Sequence, residues 1–126
     1  MVKKLKAKVF ARWATKENVS DRDLLNAIRN IVEHKSADAL GGSVYKVRVP
    51  RKGEGKSGGF RTLLVYREGT LAVFLHGFAK NDQGNISAAE KRDYKKLAKM
   101  LCGFSSEQWA DAIKNKIFFE LEDKDE

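Results

Sequence analysis

Lys46, Arg48 and Arg61 are the side chains of this sequence best suited to chemistry, and what they suit is gripping and activating a phosphate. Residues 43–49 alternate, so Tyr45, Val47 and Val49 share one face of an expected strand while Lys46 and Arg48 project together from the other. Arg61 opens the next expected strand, and Lys80 closes the one after it. From Gly41 to Arg67 stand seven cations against one acid, Glu54, a net +6 that is most of the chain's +8. Cations crowded on one face repel each other unless an anion sits among them. Such clustering is the electrostatic footprint of a polyanion partner, with RNA and DNA the default candidates. The competing reading is a plain solvated basic face, and the intervening glycines weigh against it.

Those glycines lie in residues 51–59, where Gly53, Gly55, Gly58 and Gly59 allow backbone N–H groups to approach a phosphate closely. Lys56 adds a point charge, and Ser57, Arg51 and Lys52 complete the candidate phosphate-contacting set of that loop. The run Gly55-Lys56-Ser57 ends like a nucleotide-binding P-loop, but that motif needs a glycine where this chain has Pro50 and a helix where it predicts a strand. On the third expected strand His76 and Phe78 are candidates to stack on or touch a base, with Asn81 just past Lys80. His34 and His76 are isolated, with no Cys-x-x-Cys or His-x-x-x-His pair, so no metal site is expected. The single Cys102 cannot form an internal disulfide and reads as a small core residue.

Positioning these residues falls to a series of short elements. Residues 3–8 alternate weakly and predict an edge strand guarded by lysines. A short helix around Phe10–Lys16 carries Trp13, read like Trp109 as a core anchor. Ser20 with Asp23 caps a second helix bearing Leu24, Ile28, Ile31 and Val32 and ending near Lys35. Gly41-Gly42 then breaks the chain, and strands at 43–49, 60–67 and 71–79 form an antiparallel meander, the third apolar enough to be buried on both faces. After a polar loop, Ser87 with Glu90 forms a capping box for a helix with Tyr94, Leu97, Ala98 and Leu101 on one stripe, ended by Gly103. A last helix begins at Ser105 or Ser106 with Trp109, Ala112, Ile113 and Ile117 inward.

The expected fold is therefore α+β: an antiparallel sheet of about four strands, an N-terminal edge strand plus the meander, with helices packed on one side. At 126 residues, 42% hydrophobic and 33% charged, the chain reads as one globular domain. Residues 1–104 form its main body, and 105–126 a C-terminal helical extension whose last seven residues hold five acids and one lysine. No stretch approaches the ~20 apolar residues of a membrane span, and Met1-Val2-Lys3-Lys4 lacks the apolar run of a signal peptide. A cytoplasmic location without membrane partners is the expectation.

Three segments together resemble a known family: Gly41-Gly42 followed by Tyr45-Lys46-Val47-Arg48, then Gly55-Lys56-Ser57-Gly58-Gly59-Phe60-Arg61, then Gly77-Phe78-Ala79-Lys80-Asn81. From about Val9 to Leu101 the chain is similar to the HigB-like branch of the RelE/ParE toxins of bacterial type II toxin–antitoxin systems. The resemblance implies a metal-independent endoribonuclease that enters the ribosomal A site, cuts mRNA by attack of a 2′-hydroxyl on the adjacent phosphate, and is neutralised by a cognate antitoxin protein. It needs no cofactor. By position, Lys46 and Arg48 match the family's paired basic residues, with Lys46 the general-base candidate because neighbouring cations disfavour an ammonium charge. Arg61 matches the arginine on the scissile phosphate, Lys56 adds a backbone contact, and Lys80 completes the clamp. The best-known RelE pattern has a further arginine and a tyrosine after the last strand. Residues 80–87 contain neither, which leaves Lys80, His76 or a group on another element to carry a proton. Two alternatives remain open: a non-catalytic ParE-like inhibitor of DNA gyrase, against which the retained cations argue, and a simple RNA-binding module.

Overall fold

A computed structural model describes residues 3–34, 37–50, 59–79 and 86–122. The elements run β1 (Lys3–Ala7), α1 (Lys8–Lys16), α2 (Asp21–His34), β2 (Asp38–Gly41), β3 (Val44–Val49), β4 (Phe60–Arg67), β5 (Leu71–Ala79), α3 (Ala88–Cys102), α4 (Ser106–Lys114) and β6 (Phe118–Glu120). Side-chain caps start three of the helices. Before α2 the Asp23 N–H donates to Ser20 Oγ at 3.1 Å, and the Ser20 N–H donates back to Asp23 Oδ2 at 3.1 Å. Ser87 with Glu90 does the same for α3, and Ser105 with Gln108 for α4. Each pairing satisfies donors that the first helical turn leaves without partners.

The sheet has six strands in the order β2-β3-β4-β5-β1-β6 and is mixed, because β1 runs parallel to β5 while the other pairs are antiparallel. This corrects the expected four-stranded antiparallel sheet. β1 is an interior strand, hydrogen-bonded to β5 on one side and β6 on the other, and no edge at all. Its Lys6 is not an edge guard: Nζ pairs with Asp21 Oδ1 at 2.6 Å, and the other oxygen of Asp21 accepts the Glu122 N–H at 2.9 Å. β2 and β6 are the true edges. β2 turns into β3 through Gly42 (φ +61°) and Ser43 (φ +67°), the left-handed pair that a two-residue hairpin of the favoured twist requires.

Helices cover both faces rather than one. Phe10, Ala14, Leu24, Ile28 and Ile31 of α1 and α2 pack on Val47, Val49, Phe60, Leu64, Tyr66 and Phe74. On the opposite face Ala98, Leu101, Trp109 and Ala112 of α3 and α4 pack on Leu5, Val44, Val65, Val73, Leu75 and Phe118. The expectation that β5 is buried on both faces holds, with Leu71 through Leu75 all buried. One inward assignment fails, Ile117 being 53% exposed, and Val32 at the end of the α2 apolar spacing is 54% exposed. α4 stops at Lys114, and Lys116 takes φ +60°, so the helical phase is lost and Phe118 turns inward in place of Ile117. No helix among the described residues is long and apolar enough to cross a membrane.

Candidate phosphate-binding site

β3 follows its expected alternation. Tyr45, Val47 and Val49 face α1 and α2, so Lys46 and Arg48 leave the sheet on the α3 side. In the β3–β4 ladder Arg48 stands directly opposite Arg61, and Lys46 opposite Leu63. Directly opposed side chains start about 4.5–5.5 Å apart at Cβ, and diagonal neighbours about 7–8 Å apart. Arg61 therefore adjoins both Arg48 and Lys46, and all three cations share one face. The buried Thr62, on the other face, fixes this register by donating its hydroxyl to the Val47 carbonyl at 3.0 Å.

Unlike the exposed Arg48, Arg61 is confined. It is half-buried, its Nη1 is enclosed, and that nitrogen has no hydrogen-bond partner among the described residues. An enclosed guanidinium donor left unmet costs about 1–3 kcal/mol, which an anion would recover. Asp38 on β2, opposite Lys46, is the nearest acid in the register, yet no ion pair joins it to Lys46. Gly59 is buried where the chain enters β4. A Cβ there would lie 2.9 Å from the Val49 carbonyl oxygen and 3.4 Å from Arg48 Cγ, so the bare backbone makes room for the Arg48 stem.

A β-bulge delivers the remaining members. Leu64 pairs with Phe74, but Leu63 pairs with His76, leaving Leu75 as the extra residue of β5. Beyond an extra residue the two faces of a strand exchange. Phe74 stacks on Phe10 under α1, while His76 and Phe78 emerge on the α3 side beside the cations. Phe78 stands opposite Arg61 and is buried; His76 is half-exposed, its ring centroid 5.6 Å from that of Phe78. Gly77 between them faces α1, where a Cβ would fall 2.6 Å from Cε3 and Cη2 of the Trp13 indole. Trp13 in turn packs edge-on against Phe60, which closes the floor under the site.

α3 supplies two residues that the sequence reading gave other work. Tyr94, placed there on an apolar stripe, has its ring 6.0 Å from His76, and Glu90, the capping residue, feels the charge of the same imidazole. Burial, with Glu90 and Asp93 nearby, raises the Tyr94 phenol above its ordinary value, so it keeps its proton at neutral pH. The i,i+4 spacing of Glu90 and Tyr94 was the signal that one helix face carries both. The structure thus brings together Lys46, Arg48, Arg61, His76 and Phe78 over Gly59. Arg51, Lys52, Lys56, Ser57, Gly58, Lys80 and Asn81 lie outside the described residues.

The described residues thus form a mixed sheet helix-covered on both faces, with clustered cations and aromatic rings at one corner. Residues 2–121 match the family model described as the RelE toxin of the RelE / RelB toxin–antitoxin system, so the chain belongs to the RelE toxin family. It is accordingly a toxin of a toxin–antitoxin system, and a cognate antitoxin is its partner. No curated protein matches the sequence.

Proposed function

We propose that this toxin is an endoribonuclease that cuts mRNA in the ribosomal A site, and that the cluster on β3 and β4 is its catalytic centre. Attack of a 2′-hydroxyl on the adjacent phosphate forms the O2′–P bond and breaks the P–O5′ bond, giving a 2′,3′-cyclic phosphate and a 5′-hydroxyl. The charge that builds on the phosphoryl oxygens needs fixed donors aimed at it. Arg61 and Arg48, opposed across the ladder, fill that role, and Lys46, diagonal to Arg61, takes the 2′-hydroxyl proton. Lys80, the residue after β5 in sequence, completes the clamp.

The observation that carries this reading is the Arg61 guanidinium, walled in beside Arg48 and Lys46 with a donor unmet among the described residues. A structural arginine of such confinement has a carboxylate partner; one kept for an incoming phosphate does not. Expression of the chain without its antitoxin is expected to arrest growth with cuts inside translated codons. Growth arrest with intact mRNA, or with DNA breaks instead, would exclude the assignment.

A further inference from the structure

Resting on that nuclease reading, we infer that His76 is the general acid of the reaction, giving its proton to the 5′-oxygen as the P–O5′ bond breaks. The bulge at Leu75 is the first reason. Without the extra residue, His76 would share a face with Phe74 and lie in the apolar layer under α1; with it, the imidazole stands on the cationic face. β-Bulges often re-aim a side chain at a working site, and this one re-aims the only histidine on the sheet.

Its surroundings are the second reason. His76 is opposite Leu63 and diagonal to Arg61, one strand spacing from the proposed phosphate site. Phe78 flanks it on its own strand at 5.6 Å, with rings inclined by 34°, and Tyr94 from α3 flanks it at 6.0 Å, inclined by 33°. The two rings act as walls that fix the plane of the imidazole. Charged groups near it include Glu90 from α3 and Arg61, its diagonal neighbour on β4. Histidine is the side chain whose proton is held and released near neutrality, which a leaving alkoxide requires.

The division of labour follows from position. Lys46 lies on the far side of Leu63 from His76, in the same cross-strand row, so a phosphate held by Arg61 has one proton carrier on each side. In-line displacement needs this arrangement, because the entering and leaving oxygens occupy opposite positions on phosphorus. The proton taken from the 2′-hydroxyl goes to Lys46, and the one given to the 5′-oxygen comes from His76. No other reagent is consumed.

The test compares two substrates on programmed ribosomes: a short mRNA, and the same mRNA with sulfur in place of the 5′-bridging oxygen at the linkage the wild-type toxin cuts. A thiolate leaves without a proton. His76→Gln is expected to slow cutting of the all-oxygen mRNA by about 10²–10⁴-fold, and to cut the sulfur-bridged mRNA within a few-fold of wild type. Equal deficits on both substrates, or no deficit on either, would overturn the assignment, with His76→Asn used if the Gln variant melts early. Failure of the wild type to cut the all-oxygen mRNA overturns the nuclease reading itself and this inference with it.

Discussion

Replacing Arg61 with methionine should make the protein more stable while abolishing its action. The Nη1 donor, unmet among the described residues, costs about 1–3 kcal/mol when buried. A like charge directly opposite, here Arg48, adds about 0.2–1 kcal/mol. Methionine keeps most of the apolar stem and fills an irregular gap without a charge, so the packing lost is small. The net gain is about 1 kcal/mol or slightly more, a rise of about 3–5 °C in Tm for a domain of this size. Urea unfolding at low salt measures it as a shift in midpoint at unchanged slope. Sulfate provides the control: an anion bound at the site stabilises the wild type, by mass action, and leaves Arg61→Met unmoved. A methionine variant less stable than wild type by ~1 kcal/mol or more would refute the reasoning, since Arg61 would then be holding the fold together.

Other positions give sharp expectations. Gly77→Ala drives a methyl into the Trp13 indole, which Phe10 and Phe60 hold in place, and should cost about 1–3 kcal/mol; in a Trp13→Ala background the penalty should vanish, as a double-mutant cycle in urea would show. Phe118→Ala empties the pocket beside Trp109 and should cost about 3–5 kcal/mol, while Ile117→Ala next to it should change stability by less than about 0.5 kcal/mol; equal effects would contradict the β6 register. Glu90 accepts the Ser87 N–H, and this hydrogen bond holds its carboxyl below the ordinary carboxylate value. Its contribution to stability is therefore present above about pH 4.3 and lost as pH falls through the lowered value. Glu90→Gln, which keeps the cap, should flatten that acid limb in melts taken across pH 2–6.

Much of the positioning machinery was legible because it is written locally. Ser20 with Asp23 and Ser87 with Glu90 marked helix starts, and the Tyr45-Val47-Val49 alternation put Lys46 and Arg48 on one face before any coordinates. What escaped was long-range. Nothing near residues 3–7 announces a parallel partner sixty-odd residues on, so the lysines of β1 looked like edge guards. β2 has no β-branched residue and β6 is three residues long, too little for a periodic signal. The helices on both faces could have been inferred: a strand apolar on both sides, as β5 was read, needs cover on both. The bulge at Leu75 had no sequence mark, and unbroken alternation would have put His76 in the same layer as Phe74. The candidate site was thus half visible. Its cations lie on two strands joined by register, while its histidine and tyrosine depend on one irregular residue and on the docking of α3.

The account rests on a phosphate meeting Lys46, Arg48 and Arg61 in one place, and the most direct measurement is cleavage of a defined mRNA on ribosomes by purified toxin, with the ends mapped. The wild type should leave a 2′,3′-cyclic phosphate and a 5′-hydroxyl within a translated codon, and folded Arg61→Ala should leave the mRNA whole. Cutting by Arg61→Ala at the wild-type rate, or intact mRNA with the wild type, would contradict it.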